Sequence, residues 1–307
     1  MEDQLTLLRE TPWDVLIVLD ACRADAFKTT ALHPQITQIA QSREEQKASG
    51  AGQKTRAQTR ERNGSPPPVV ASASSAESAD HSFQVVRSAA NCTAGWIAKL
   101  GPLFAARHAA YFSANPVVDR EIHKRSLDLW LISIWQSHWA HFTPARIPSV
   151  HPMSVNGVVL TCMSYGTSPG AIVVHYLQPH SPFIGNVPLG LARWGRGKGD
   201  LHVACHALTR PDVAVAEGVV TWAEVREAYL SNLRLVWDAV RQLVSALPDR
   251  RIVVTSDHGE MLGEDGGKFG HEANWMYPEL FEVPWLELTG HGEAATTRQK
   301  LEALGYA

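Results

Sequence analysis

The residues with the clearest chemical potential lie in Arg251–Glu260, which reads Arg-Ile-Val-Val-Thr-Ser-Asp-His-Gly-Glu. The uninterrupted run Ile252–Thr255 is typical of a strand that is buried on both faces of a parallel sheet. Such sheets place their chemistry just beyond the carboxyl ends of their strands. Asp257 and His258 lie at that end, and a carboxylate beside an imidazole is a ready pair of ligands for a divalent metal. We therefore expect a metal site where this strand ends.

A second apolar strand, Val15–Leu19, ends in the same way, at Asp20. Aspartate is also a favoured helix N-cap, so Asp20 taken alone is either a cap or a ligand. Acids at two neighbouring buried strand ends repel each other unless a cation lies between them. The recurrence of the pattern at Asp257 therefore favours a ligand.

A third element begins with the short strand Phe83–Arg87, followed by small residues and a helical pattern that starts near Cys92 and Thr93. A helix N-terminus lowers the pKa of a thiol and binds anions. The alternative is an ordinary cap with a buried cysteine beside it, and spacing alone favours that alternative.

The middle of the chain offers less chemistry. Asn115 precedes a proline, as in a turn, His175 lies inside an apolar strand, as a satisfied core histidine does, and Leu127–His141 is apolar with helical spacing.

The elements that must position these residues alternate between strands and helices, which indicates an α/β fold with a mostly parallel central sheet and helices on both faces. The clearest helix is Trp222–Leu247, and it leads directly into the metal-binding strand. We expect one domain over residues 1–307, with a flexible insertion at 42–81 because that stretch is polar and rich in Pro, Ala and Ser. The Gly-, Arg- and Lys-rich run 190–199 is expected to be a solvated loop or a lid over an anionic group.

Composition excludes several classes of protein. The net charge is −3, which gives no footprint for nucleic acid. Four scattered cysteines form no zinc-ribbon or disulfide framework. No apolar run reaches the roughly 20 residues of a membrane span, and the acidic start is unlike a signal peptide. These features predict a soluble, cytoplasmic protein.

Four motifs occur in one order: Asp20 with Arg23 and Asp25; Cys92-Thr93-Ala94; His175–Phe183; and Ser256–Glu260. In order and spacing this series resembles the alkaline phosphatase superfamily, in its sulfatase-like branch of sulfatases, phosphonate monoester hydrolases and phosphoglycerol transferases. The resemblance runs from Val15 to about Leu288. It implies the alkaline-phosphatase-like fold and one divalent ion (Ca, Mg, Mn or Zn). A second ion would need a further carboxylate near His180 and His271.

The resemblance also implies roles for single residues. Asp20, Asp257 and His258 match the metal ligands. Cys92 stands where sulfatases carry the cysteine that becomes formylglycine and where phosphotransferases of the branch carry a threonine, so the nucleophile is either Cys92 or Thr93. The remaining matches are residues expected to contact the substrate anion: His180, His271 and Lys268.

Two departures bear on the reaction. Ala21 stands where sulfatases have a second Asp, and Trp96 stands where the formylglycine signature requires Arg, which argues against conversion of Cys92. The resemblance implies a metal-dependent hydrolase of sulfate or phosphate esters with a covalent intermediate. Its substrate would be a small anionic ester, alone or on a glycan or lipid headgroup. The alternatives are a phosphoglycerol- or phosphoethanolamine-type transferase and a non-catalytic relative that binds anionic glycans.

Overall fold

The protein was studied as a computed structural model, which describes residues 1–31, 83–142, 147–165, 170–187, 189, 210–247 and 249–289. The insertion predicted at 42–81, the loop at 190–199 and a short closing helix after Leu288 lie outside the described residues. No helix in the described ranges is both long and apolar enough to cross a membrane.

A seven-stranded sheet forms the centre of the fold. Its strands are β1 (Val15–Asp20), β2 (Phe83–Arg87), β3 (Ala110–Ser113), β4 (Trp130–Ser133), β7 (Ile172–Pro179), β8 (Arg251–Thr255) and β11 (Glu282–Thr289). They lie in the order β2-β11-β8-β1-β7-β3-β4. Strands β8, β1, β7, β3 and β4 are parallel, and β11 runs antiparallel between β8 and β2. Two small antiparallel pairs are β5 (Ala140–Phe142) with β6 (Ile147–Ser149), and β9 (Met261–Leu262) with β10 (Phe269–Gly270). The predicted α/β fold with a mostly parallel sheet is confirmed.

Helices cover both faces of this sheet. They are α1 (Gln4–Glu10), α2 (Ala24–Ala31), α3 (Thr93–Ala106), α4 (Pro116–Lys124), α5 (Ile134–His138), α6 (Pro152–Ser164), α7 (Pro211–Ala216), α8 (Trp222–Ser245), the distorted turn α9 (Glu264–Gly267) and α10 (Pro278–Phe281). The predicted long helix is present as α8, and a capping box between Thr221 and Glu224 fixes its start. The helical spacing read in Leu127–His141 was wrong in part, because strands β4 and β5 flank the short α5 there.

Alternation along β1 shows how the two faces are filled. Val15, Ile17 and Leu19 join the apolar core under α6 and α8, whereas Leu16 and Val18 join the core under α1 and α3. A strand buried on both faces needs apolar residues at every position, which is why its sequence shows no polar alternation. Asp20 has the parity of Leu16 and Val18, so its side chain belongs to the face that carries α3.

Candidate active site

Asp20 and Asp257 meet at the carboxyl edge of the sheet because β1 and β8 are parallel neighbours. Asp20 is the last residue of β1, and Asp257 and His258 follow β8. All three side chains are fully buried, with at most 1% of their surface exposed. The predicted metal ligands therefore lie together, at distances given below.

His258 is held in one tautomer. Its Nδ1–H donates to the Gly259 carbonyl at 2.8 Å, so Nε2 carries the lone pair. That Nε2 lies 3.4 Å from Asp257 Oδ2 and 3.5 Å from Asp20 Oδ1. Burial lowers the pKa of His258 to about 4, so the ring is neutral at pH 7. A neutral imidazole whose free nitrogen faces two carboxylates is suited to bind a divalent cation.

The carboxylates of Asp20 and Asp257 are buried close together, which is electrostatically unfavourable. Burial, together with the charge of Asp257, raises the pKa of Asp20 well above its usual value, and Asp20 Oδ1 has no hydrogen-bond partner among the described residues. Burial also acts to raise the pKa of Asp257, but His258, His175 and Thr93 outweigh it and hold that pKa low. An ionised buried acid beside one with an unsatisfied oxygen is an arrangement that a cation would stabilise. The donor set of two carboxylates and one imidazole therefore fits the divalent metal that the sequence predicts.

Thr93 is the first residue of α3, and its hydroxyl lies among the predicted ligands. It donates to Asp257 Oδ2 at 2.7 Å, and its oxygen lies 3.3 Å from His258 Nε2. The residue is buried and at a helix N-terminus, where the helix dipole favours a developing negative charge. We call Asp20, Thr93, Asp257 and His258 the inner set.

Cys92 is the N-cap of α3 and is only half-buried, and its side chain makes no capping hydrogen bond. Its extended backbone (φ −158°, ψ 154°) precedes the first helical turn, in which Thr93 reaches the carboxylates. Of the two nucleophile candidates, the structure thus brings Thr93 to the inner set. Within the described ranges, no hydrogen bond joins the Cys92 thiol to that set.

Asn115 has two roles; the sequence is compatible with both a turn and a place near the site, and it favours the turn. Its Oδ1 caps α4 by accepting from the Val117 N–H at 2.7 Å. Its Nδ2 donates to Asp20 Oδ2 and lies 3.4 Å from the Thr93 hydroxyl. The capping bond fixes the amide so that its N–H groups face the site.

His180, Glu260 and His271 form a second cluster, which we call the outer set. Their ligand atoms all lie within 4.8 Å of one another. His271 Nδ1 bonds to Glu260 Oε1 at 3.0 Å, and the His258 and His271 rings are 4.1 Å apart at their centroids. Glu260 was missed from the sequence, although it stands two residues after His258. It supplies the carboxylate that a second ion would need.

Charge in the outer set is balanced internally. Burial opposes ionisation of both partners, yet Glu260 raises the pKa of His271, and His271 lowers the pKa of Glu260. Burial lowers the pKa of His180, whose Nδ1–H donates to the Ser181 carbonyl. Glu260 therefore favours the charged form of His271, whereas burial favours the neutral form of His180.

Lys268 was predicted to contact the substrate anion, and the structure gives it other partners. Its ammonium pairs with Asp265, and it lies 5.2 Å from the Tyr277 ring centroid and 5.9 Å from that of Trp275. These contacts direct the charge to the surface turn of α9 and away from both sets.

His175 differs from the satisfied core histidine that the sequence suggested. Its Nδ1 pairs with the Tyr111 hydroxyl at 2.8 Å, but its Nε2 has no hydrogen-bond partner. That nitrogen lies 3.7 Å from Asp257 Oδ2 and 3.9 Å from Asp20 Oδ2. Alternation along a strand predicts the face of such a residue but not what its ring nitrogens meet.

Buried polar groups hold these elements in place. Gln4 donates to Thr255 Oγ1 and the Ser256 carbonyl, and its Oε1 accepts from Trp96 Nε1 at 2.9 Å. One amide thus joins the end of β8 to the helix that carries Thr93. Gly259 is required by close approach, because an added Cβ would lie 1.9 Å from the Glu279 carbonyl oxygen.

Comparison with known proteins places this site in context. The family model described as Sulfatase matches residues 164–304. No curated protein matches the chain. The soluble domain of lipooligosaccharide phosphoethanolamine transferase A from Neisseria meningitidis is 14% identical, with a TM-score of 0.54, over 89% of this chain and 75% of that domain.

Two further solved structures are less similar. The integral membrane protein lipooligosaccharide phosphoethanolamine transferase A from the same species is 13% identical, with a TM-score of 0.49, over 91% of this chain and 48% of that protein. The lipoteichoic acid synthase LtaP from Listeria monocytogenes is 9% identical, with a TM-score of 0.43, over 92% of this chain and 65% of that one. The Sulfatase family model thus covers a little under half of this chain, and the soluble transferase domain shares its fold. The chain is similar to the Sulfatase family over that stretch.

Proposed function

We propose that the chain is a metal-dependent phosphoester hydrolase that acts through a covalent intermediate on Thr93. The observation that carries the proposal is the position of the Thr93 hydroxyl, 2.7 Å from Asp257 Oδ2 and 3.3 Å from His258 Nε2 at the start of α3. An alcohol with those neighbours and at a helix N-terminus is placed to act as a nucleophile.

The choice of phosphorus over sulfur follows from the choice of nucleophile. The resemblance assigns a modified cysteine to sulfatases and a threonine to phosphotransferases. Thr93 lies in the inner set, whereas Cys92 is a half-buried N-cap. A phosphate ester is therefore the favoured substrate.

Asp20, Asp257 and His258 would hold the cation, with the Thr93 oxygen as a further ligand. His175 also has a ring nitrogen close enough to Asp20 and Asp257 to form a ligand group with them. When bound, a divalent cation lowers the pKa of the Thr93 hydroxyl and neutralises charge on the ester oxygens. Because the pKa of Asp257 is held low, this carboxylate is a poor base, and we assign it the task of orienting the hydroxyl. Asn115 keeps Asp20 in place through its amide.

The reaction has two displacements. The Thr93 oxygen forms a bond to phosphorus as the ester oxygen departs, and the hydroxyl proton passes to solvent. Water then attacks phosphorus, the bond to Thr93 breaks, and a proton from the water returns to the Thr93 oxygen. His271, whose charged form Glu260 favours, would offer an N–H to the charged oxygens, and the outer set lies beside the inner one through the His258–His271 contact.

A phosphoethanolamine- or phosphoglycerol-type transferase is the second candidate. The observation that favours it is the fold shared with a phosphoethanolamine transferase domain. Transfer would use the same first displacement, with an acceptor hydroxyl in place of water. For either reaction the substrate would be a small anionic ester, free or as a lipid or glycan headgroup.

The test is to trap the intermediate. Metal-loaded protein is mixed with an aryl phosphodiester and quenched in acid, and the peptide that contains Cys92 and Thr93 is sequenced by mass spectrometry. We expect a phosphoryl adduct on Thr93 and none in Thr93→Ala. An adduct on Cys92, or turnover by Thr93→Ala at the wild-type rate, would overturn the assignment. Product release with and without added acceptor alcohols then separates hydrolysis from transfer.

A further inference from the structure

We propose that His175, held by Tyr111, is a positioning residue that directs an Nε2–H at the two metal-binding carboxylates. The inference rests on the metal site of the proposed function. It adds a layer beneath that site, formed by strands β3 and β7, which contribute none of the four inner-set residues.

The geometry places His175 beside the same two carboxylates that His258 approaches. In register, His175 lies between Val18 of β1 and Ser113 of β3. It is completely buried, with the Trp96 ring edge-on to it at 6.1 Å. Its Nε2 faces Asp257 Oδ2 at 3.7 Å and Asp20 Oδ2 at 3.9 Å.

The number of available hydrogens indicates which residue donates in the hydrogen bond between Tyr111 and His175. If His175 Nδ1–H donated, its Nε2 would be free to join Asp20 and Asp257 as a metal ligand, but the Tyr111 hydrogen would have no acceptor among the described residues. If Tyr111 donates, its hydrogen has an acceptor and the Nε2–H of His175 points at the two acids. Burial, aided by Asp257 and Asp20, raises the pKa of Tyr111 well above its usual value, so its hydroxyl keeps the proton.

Such a donor would act on the ligands and not on the substrate. At 3.7 Å the Nε2–H is slightly too far for a hydrogen bond, so a small movement of either carboxylate completes it. A buried hydrogen bond to a ligating carboxylate fixes its direction, and loss of such outer-shell partners typically costs roughly 10–100-fold in metal affinity.

The experiment compares two buried tyrosines that lie on different strands. Tyr111→Phe removes the hydroxyl that fixes His175. Tyr176→Phe is the matched control, because its hydroxyl donates to Asn156 on the other face of the sheet. Affinity for Zn²⁺ and Mn²⁺ is measured by calorimetry on metal-free protein, and thermal unfolding checks that both variants are folded. We expect a loss of roughly 10-fold in Tyr111→Phe and less than about 2-fold in Tyr176→Phe.

A second measurement reads the hydrogen position in the wild-type protein directly. Long-range ¹H–¹⁵N correlation spectra of metal-free wild-type protein report the tautomer of His175, assigned by the signals that His175→Gln removes. Protonated Nε2 with unprotonated Nδ1 supports the proposal, and the reverse tautomer overturns it. Equal metal affinities of the two tyrosine variants would also overturn it.

Failure of the proposed function looks different. If wild-type protein bound neither ion, the metal site itself would be wrong. A protonated Nε2 in the same sample would still support the donor role toward the two acids.

Discussion

The inner and outer sets lie side by side and differ in how their buried charges are compensated. The outer set neutralises itself, since Glu260 pairs with His271 at 3.0 Å and the two shift each other's pKa toward the charged forms. The inner set has a neutral His258 and an Asp20 oxygen without a partner. Buried charge without compensation is costly, so we predict that the inner set depends on a cation more strongly than the outer set does. The difference teaches that the charge balance of a cluster, and not only the proximity of its ligand-type residues, bears on whether it needs a cation.

The largest expected effect tests the nucleophile that the inner set holds. Thr93→Ala should lower kcat by roughly 10³-fold or more, because it removes the atom that forms the covalent bond. Thr93→Ser is the conservative control and should retain measurable turnover. Cys92→Ala should stay within about 3-fold of wild type, since a half-buried N-cap without a capping bond contributes little. Steady-state rates on an aryl phosphodiester check all three, and a larger loss in Cys92→Ala would reverse the assignment.

The second prediction tests directly whether the inner and outer sets differ in their need for a cation. Asp257→Asn should weaken binding of the first divalent ion by more than about 100-fold, since it removes a ligand and the charge that holds it. Glu260→Gln should leave that first ion bound with an affinity within about 5-fold of wild type, because the outer set is already neutral. Metal content after dialysis and calorimetric titration give both values. Equal losses in the two variants would show that one shared site spans both sets.

The third prediction separates the two roles of Asn115. Serine also caps helices well, so Asn115→Ser should keep α4 stable to within about 0.5 kcal/mol. It cannot extend an amide N–H to Asp20, and activity should fall roughly 10-fold. Chemical denaturation and turnover are measured on the same sample. A loss of stability with unchanged turnover would mean that capping is the only role of this residue.

Much of the fold was predictable because it follows from local pattern. The apolar runs at Val15–Asp20 and Arg251–Thr255 have the composition of buried parallel strands, and the repeated acid at their ends indicated that Asp20 and Asp257 meet. The choice between Cys92 and Thr93 was not predictable from the sequence. It depends on which of the two residues begins the helix α3, and a sequence pattern does not fix a helix boundary to within one residue.

Other site features depend on contacts that a linear pattern does not contain. An Asn before Pro has the same sequence whether its amide faces solvent or Asp20, as Asn115 does. Lys268 follows a glycine-rich turn that brings Asp265 beside it, and the resulting ion pair is not visible in the linear motif. Glu260 is buried only because the loop through β9 and β10 brings His271 back to it.

The smallest expected effect concerns the pH dependence of the outer set. His271 faces Glu260, Asp257 and Glu272, which raise its pKa above the usual 6.5, and the rings of His258 and His180. A raised folded-state pKa stabilises the protein below pH 6.5, and this contribution is lost as the pH rises through that raised value. The lowered pKa of Glu260 acts oppositely, so its contribution is present above pH 4.5 and is lost as the pH falls.

Between those limits, the pair should add about 1 kcal/mol to the free energy of unfolding of metal-free protein. Glu260→Gln should flatten the loss of stability with rising pH above 6.5. Urea unfolding in EDTA at a series of pH values measures this slope. A variant whose slope equals that of the wild type would show that another group causes the dependence.

The hydrogen bonds of Gln4 join positions 251 and 252 residues apart in the chain. During synthesis, Gln4 therefore leaves the ribosome 251 residues before Thr255 and 252 residues before Ser256. Helix α1 can form this brace only after β8 has been made. A nascent chain released before that point would lack the brace and also Asp257, one of the two acids of the inner set.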